Sequence, residues 1–462
     1  MLGRFSEHIE KNELLDRSQT VLLGFSGGAD SMCLLHLLRQ TGISVIAAHL
    51  NHAQRPEAES DAEKCATICE QLDVPIIIGR ADIPAMARDL KIGIEEAGRK
   101  ARYSFFNQSA FETSADLIAT AHTLDDHVET ILFHMARGSG LSGLSGISEK
   151  QGILIRPLLP FRRAETQAYC QEHQLPVLTD PGNFNEDFSR VRIRQRLIPE
   201  FEAVHPGFFA GMQRLAQTVS EEDQLLDGWA ARLIEQCEKH LNGNLAFLTQ
   251  DVEVCLDTTG WDVHPGALSK RAIRLLARFL GAGLNFEQTA IIHDLILRKE
   301  QKSVTAEGGD VVFEVRKGEL FARHIQVAEP FRFPITFPGE TESEVFGWQI
   351  TAESWAPDDF RRSPGSLDAV LDQAAIKGGL YLCSSEEALQ MTPLHDTAKR
   401  PVPQLLKSRS LTAAAKARLP IICDMVGPVW IPGITLADRC KVTETTSRAI
   451  RLMLGPLKNA GS

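Results

Sequence analysis

The run Ser26-Gly27-Gly28-Ala29-Asp30-Ser31 sets two adjacent glycines between serines and an aspartate, a composition suited to holding phosphate. Glycine lets the backbone approach a bulky anion, and a helix starting there offers unpaired N–H groups and the positive end of its dipole. No lysine follows in the pattern G-x-x-x-x-G-K-[ST], and no G-x-G-x-x-G is present. A γ-phosphate-handling NTPase and a Rossmann dinucleotide site are therefore both disfavoured. The plainer account is a strand-to-helix turn capped by Ser26 or Asp30, but such a turn does not need two glycines, two serines and an aspartate. A second constellation is His122-Thr123-Leu124-Asp125-Asp126-His127-Val128-Glu129-Thr130. In a helix starting near Thr123, His122, Asp126 and Glu129 fall at i, i+4 and i+7 and share a face, with Leu124, Val128, Ile131, Leu132 and Met135 on another. That acidic face suits metal ions or a cationic substrate. Alternatively, Asp125 and Asp126 only complement the helix N-terminus with Thr123 as cap, an account that does not extend to Glu129 beyond the first turn.

Both segments need strands to bring them together. Thr20 to Gly24 reads as a strand and Asp30 to Gln40 as a helix; Ile43 to Leu50 and Glu57 to Leu72 repeat the pair. Pro75 to Gly79 holds three isoleucines that suit a strand buried on both faces. Ile94 to Phe111 is helical, Asp116 to Ala121 a strand, and Leu124 to Arg137 a helix. Such alternation gives an α/β fold with a doubly wound parallel sheet, whose ligand sits at the carboxyl ends of the strands. From Phe208 to His240 and from Ala267 to Arg298 the spacing is helical with no comparable strand between, and Val311 to Val315 and Leu320 to Ile325 form a hairpin around Lys317-Gly318. Prolines 330, 334 and 338 then mark a boundary, and the remainder mixes short strands with one helical stretch near Gln404 to Arg418. The expected domains are 1–205 (catalytic), 206–330 (mainly helical, ending in the hairpin) and 331–462 (small, mixed α+β).

Composition limits the function. The chain has 462 residues, 43% hydrophobic and 24% charged, in the ordinary globular range. A formal charge of -11 argues against coating nucleic acid through bulk charge, while leaving room for local basic patches. Nine thinly spread cysteines read as reduced thiols in the cytoplasm, and no run of about 18 apolar residues spans a membrane. Cys65 and Cys69 are four apart, without a second pair, and His49 and His52 lack further ligands at zinc spacing; free thiols, and histidines of the substrate pocket or the strand end, are preferred to metal.

The glycine loop resembles the S-G-G-x-D-S loop of N-type ATP pyrophosphatases at all five fixed positions. With His49-Leu50-Asn51-His52, Glu95 to Tyr103, the acidic helix running on through Arg137-Gly138-Ser139-Gly140, and Arg156-Pro157-Leu158-Leu159, most of Leu22 to Pro199 resembles one family of them, the tRNA(Ile)-lysidine synthetases. The resemblance implies that ATP adenylates the C2 oxygen of the wobble cytidine in an isoleucine tRNA with anticodon CAU. The ε-amine of L-lysine then displaces AMP, leaving lysidine, AMP and pyrophosphate. It implies that Ser26, Gly27, Gly28, Ala29, Asp30 and Ser31 bind ATP, that Asp30 and Asp126 hold Mg²⁺, and that Asp30, Arg102, His122, Asp126 and Glu129 are catalytic. The family more often has alanine at Gly98 and asparagine at Val191. A tRNA thiolase of the same superfamily is disfavoured by the missing cysteine pair. The glycines after Arg137 suit a mobile segment or a helix C-cap at Gly138.

Two basic segments bear on tRNA. Arg190, Arg192, Arg194 and Arg196 would share one face of an extended chain, or else pair internally with Asp180, Glu186 and Asp187. Lys399, Arg400, Lys407, Arg409, Lys416 and Arg418 lie in a stretch without an acidic residue, before Leu419-Pro420-Ile421-Ile422, which resembles the family's C-terminal motif. The oligomeric state is left open, a homodimer among the options.

Overall fold

The alternation of short apolar runs with amphipathic segments folds, in the computed structural model, into a parallel sheet wrapped by helices. The structure describes all residues except 53–57, 179–188, 326–328, 356–366, 386–388, 408–409 and 458–462. The chain divides into two units, Met1–Gln224 and Leu225–Ser462.

In the first unit the elements run α1 (Leu2–Lys11), β1 (Thr20–Gly24), α2 (Ala29–Gln40), β2 (Ser44–Asn51), α3 (Ala58–Gln71), β3 (Ile76–Arg80), α4 (Ile83–Leu90), α5 (Ile94–Thr113), β4 (Leu117–Ala119), α6 (Leu124–Ala136), α7 (Leu141–Leu144), β5 (Lys150–Gln151), β6 (Leu154–Ile155) and α8 (Arg163–Glu172). The sheet order is β3-β2-β1-β4-β6-β5, parallel except for the β5 edge. The chain steps outward from β1 to β3 and then returns to the other side of β1 with β4. The winding reverses between β1 and β4, and a crevice opens beyond their carboxyl ends. Val21, Leu22 and Leu23 of β1 are fully buried, as suits a central strand covered on both faces. The isoleucines of β3 stand instead at the sheet edge, with Ile78 45% exposed, so the apolar run does not mark a central strand. Helix α2 buries Met32, Cys33, Leu34, Leu35, Leu37 and Leu38 and packs on α8. At Gly24, the last residue of β1, a Cβ would lie 2.6 Å from the Phe106 ring of α5, so the position takes glycine.

Arg190 to Arg196 lie in helical turns, Ser189–Arg192 followed by a π-helical Ile193–Leu197, not in an extended chain. Residues two apart on such a helix point to nearly opposite sides, so the four arginines do not line one face.

In the second unit a strand at Glu253–Asp257, unmarked by the helical spacing around it, joins a four-stranded antiparallel sheet with Glu319–His324, Val311–Arg316 and Lys302–Thr305. The hairpin turns at Lys317-Gly318, with φ of 39° and 87°, the pair of positive values that a type I′ turn requires. Helices Gly266–Phe279 and Phe286–Arg298 share a core with this sheet around Trp261, Ile273, Ile292 and Phe313. Two further sheets enclose a separate core around Trp348, Ile350, Ile421 and Leu452. The stretch Gln404 to Arg418 is two short helices, Val402–Leu406 and Ala413–Arg418. Among the described residues no helix is long and apolar enough to cross a membrane.

Candidate active site

The loop between β1 and α2 forms one wall of the crevice. Gly27 has φ of 74°, and a Cβ there would meet Leu178 Cδ1 at 2.6 Å and Cys65 Sγ at 3.1 Å, so conformation and space both select glycine. Leu178 N–H donates to Gly27 O at 2.9 Å and fixes the turn. The N-cap is Gly28, with no side-chain cap. Capping by Ser26 or Asp30 is therefore not what ends the loop: Ser26 Oγ lies 3.2 Å from Ser31 Oγ, and Asp30 turns toward α8. The first N–H groups of α2 have no intrahelical acceptor, and they carry the positive end of the helix dipole into the crevice.

The opposite wall is the start of α6. Thr123 N–H and Oγ1 both donate to Asp126 Oδ2 at 2.8 Å, closing a capping box. The capping account of Asp126 thus holds for one carboxylate oxygen. The other, Oδ1, accepts from Arg163 Nη2 at 2.6 Å. Glu129, 2% exposed, receives a two-pronged contact from Arg194, Nε to Oε1 at 2.6 Å and Nη2 to Oε2 at 2.9 Å, and a third from Arg163 Nη1 at 3.4 Å. Asp30 accepts from Thr166 Oγ1 and, at 3.3 Å, from Arg163 Nε. Asp125 Oδ2 accepts from the Arg163 backbone N–H at 2.8 Å and from Arg162 Nε at 3.1 Å. A ring of carboxylates faces three arginines across the carboxyl ends of the sheet.

The two aspartates titrate oppositely. Burial lifts the Asp30 carboxyl above the usual range, against the pull of Thr166 and Arg163. Burial acts the same way on Asp126, but Arg163, His122 and the Thr123 N–H together outweigh it and hold Asp126 below the usual range. His122, whose Nδ1 lies 2.9 Å from Thr120 Oγ1, is pushed down to about 4, chiefly by burial, with Arg156, Arg102 and Arg99 adding to it. It is neutral at neutral pH.

Arg102 stands apart from the carboxylates. It is exposed, with Nη2 3.5 Å from His52 Nε2, and no carboxylate among the described residues pairs with it. His49, near the end of β2, has Nδ1 2.9 Å from Phe25 O at the root of the glycine loop. Gly138, with φ of 74°, ends α6 as the C-cap reading expects, Ser139 N–H donating to His134 O.

Of the two readings of Arg194, an RNA-facing stripe or an internal salt bridge, the structure places it in the second, with Glu129 as a partner that the sequence did not suggest. Arg162 and Arg163 are not singled out by the sequence. A signal for Arg163 exists, because Arg162 and Arg163 sit at the N-terminus of a helix, where the dipole disfavours cations and some other partner must compensate. Asp180, Glu186 and Asp187, the suggested partners of the stripe, lie outside the described residues; Arg190 is 3.5 Å from Glu95.

The C-terminal basic segment is partly spent internally. Arg418 is buried, donating to Asp251 and to the carbonyls of Leu248 and Val345, so it is no RNA-facing residue. Arg400 pairs with Asp396 at 2.7 Å. Lys399, Lys407 and Lys416 have no carboxylate partner among the described residues, and Arg409 lies outside them.

A PP-loop domain family matches residues 3–201. The chain is 26% identical over 468 residues to a tRNA(Ile)-lysidine synthase of Caldanaerobacter subterraneus subsp. tengcongensis, covering 97% of each chain. It is 33% identical over 449 residues to a bifunctional protein TilS/HprT of Listeria monocytogenes, covering 93% of this chain and 67% of that one. Among solved structures, the U34-tRNA thiolase NcsA of Methanococcus maripaludis aligns with a TM-score of 0.42 at 19% identity, over 48% of this chain and 78% of that one.

Proposed function

Because the chain belongs to the tRNA(Ile)-lysidine synthase family of PP-loop ligases, we propose that it joins L-lysine to C2 of the wobble cytidine of an isoleucine tRNA with anticodon CAU, through an adenylated cytidine, releasing AMP and pyrophosphate. The observation that carries this reading is the pairing of opposite poles across one crevice: an uncapped helix N-terminus on one wall and an acidic ring on the other. An anionic nucleotide and a cationic amine each meet their complement there.

In this mechanism the N–H groups at Gly27 to Ser31 hold the pyrophosphate of ATP, leaving the α-phosphorus open to the cytidine oxygen. Asp30 and Asp126 present hard carboxylate oxygens on either side of that cradle, a donor set that fits Mg²⁺ when phosphate oxygens supply further ligands. When bound, the ion offsets charge developing on the phosphates. Arg102, which pairs with no carboxylate among the described residues, adds a second fixed cation for the same oxygens. Lysine arrives as an ammonium and is oriented by Asp126 and Glu129. Its proton must leave before attack; His122, held neutral and only weakly basic by burial, stands within the field of Asp126 as a neutral hydrogen-bonding partner for the amine. The C-terminal part of the chain grips tRNA, with Lys399, Lys407 and Lys416 contacting phosphates, so tRNA binding weakens steeply with added salt. A flat salt response would remove those lysines from the interface.

The deciding experiment is incorporation of labelled lysine into an isoleucine tRNA transcript bearing CAU, with the methionine transcript as control. Lysine-dependent release of AMP and pyrophosphate in parallel separates a ligase from a protein that only senses ATP or binds RNA. No label in the isoleucine transcript would overturn the proposal.

A further inference from the structure

Arg163 enters the crevice from the first position of α8 and divides its three nitrogens among carboxylates from two separate elements: Nε to Asp30, Nη2 to Asp126 and Nη1 to Glu129, at 3.3, 2.6 and 3.4 Å. Asp126 and Glu129 are the groups assigned above to the incoming lysine. One cation already stands where another is required, and a guanidinium and an ammonium cannot occupy the same oxygens together.

Several features make the arrangement exchangeable. The side-chain acceptors of Arg163 are all carboxylate oxygens, and each carboxylate keeps another donor when the guanidinium withdraws: Thr166 for Asp30, Thr123 for Asp126, Arg194 for Glu129. The Arg163 side chain is 20% exposed, so it has solvent to move into. Resting on the lysine-ligation reading, we infer that Arg163 is a tethered counter-ion that fills the amine subsite of the empty enzyme and withdraws as lysine enters. It spares the empty site a cluster of like charges, and it lowers apparent lysine affinity by the fraction of molecules in which the subsite is open. Arg163 is thus a positioning residue, acting through the carboxylates.

The test compares wild type with Arg163→Met and Arg163→Lys, measuring L-lysine binding by calorimetry and the lysine KM at saturating ATP and tRNA. Arg163→Met should bind lysine about tenfold more tightly and show a KM lower by a similar factor. Arg163→Lys, which keeps the charge, should stay near wild type. Methylguanidinium, a free copy of the missing group, should inhibit Arg163→Met in competition with lysine and leave wild type unaffected. Unchanged or weaker lysine binding by folded Arg163→Met, or failure of methylguanidinium to compete, overturns the inference. Should the variant not fold, side-chain arginine NMR on wild type decides: saturating lysine must speed solvent exchange of the Arg163 Nε–H, and an unchanged rate refutes displacement. Wild type that incorporates lysine while these tests fail places the error at Arg163 alone; wild type that incorporates none refutes the ligation reading itself.

Discussion

Arg163 opens a helix in the first unit and Arg418 closes one in the second, and their partners differ in kind. Arg418, 6% exposed, donates to the carbonyls of Leu248 and Val345 as well as to Asp251. Among the described residues the Arg163 side chain donates only to carboxylates. A backbone carbonyl is held in place by the fold, whereas a carboxylate turns to whichever donor is present. Arg418 therefore joins segments, and Arg163 balances charge. A basic residue in a motif marks a ligand site only where its resting partners are replaceable, which is why the C-terminal segment, the more basic of the two by sequence, contributes fewer available cations than its composition promises.

The contrast is broken most directly at Asp126. Asp126→Asn keeps the volume and the Thr123 contacts but removes the charge that faces Arg163 and the proposed amine. Lysidine formation should fall by about 100-fold or more, with an unchanged circular dichroism spectrum. Near-normal turnover would detach the acidic wall from the chemistry. Arg418→Ala should act on stability instead. It leaves two carbonyls without their donor and costs about 3 kcal/mol, read as a lower denaturant midpoint for the second unit, with the lysine KM unmoved. If that variant stays fully stable and loses tRNA binding, Arg418 returns to the RNA surface and the distinction drawn here fails.

How far the sequence foretold these differences depends on the range over which each signal acts. The strands β1, β2 and β4 and the helices between them follow from local periodicity, and their bounds were legible to within a few residues. The strand Glu253–Asp257 was not, because four of its five residues are buried, on both faces, and leave no alternation to read. The glycine loop was legible since its signal is contiguous. That Arg163 gathers Asp30, Asp126 and Glu129 was not, because its partners lie 133, 37 and 34 residues away in sequence and only the assembled sheet brings them to it. The arginine stripe misled for the opposite reason: spacing by two implies a shared face only if the chain is extended, and the segment is helical.

A subtler test sets Asp30 against Asp126. The folded state holds the Asp30 carboxyl above its usual value of 3.8, so the unfolded chain binds fewer protons there between that value and the folded one, and stability falls as pH rises through the window. Asp126 is held below 3.8; its charge contributes stability that is present at neutral pH and lost on acidification below that value. At pH 7, Asp30→Asn should therefore raise the melting temperature and Asp126→Asn lower it. The gain from Asp30→Asn should close as pH falls to 3.8 and below, where aspartate is protonated in both states. A melting temperature lowered by Asp30→Asn would mean that Thr166 and Arg163 hold the charge more firmly than burial opposes it, and would place both aspartates in one class.

The smallest expected effect lies behind the phosphate wall, at Gly98 in the interior of α5. A Cβ there would sit 3.8 Å from Ile83 Cγ2 and 3.9 Å from the His52 ring, ordinary contact distances. Nothing must move, and the helical backbone at this position needs no glycine. Gly98→Ala should then stabilise the first unit by roughly 0.5 to 1 kcal/mol, mainly by restricting the unfolded chain, as read from the denaturant midpoint. The new methyl touches His52, whose Nε2 lies 3.5 Å from Arg102, so the same variant reports on the proposed phosphate pole. If that pole tolerates its surroundings as the contact distances imply, the ATP KM stays at the wild-type value while stability rises. A rise in the ATP KM together with the gain in stability would show that Gly98 leaves His52 and Arg102 room to move when nucleotide binds.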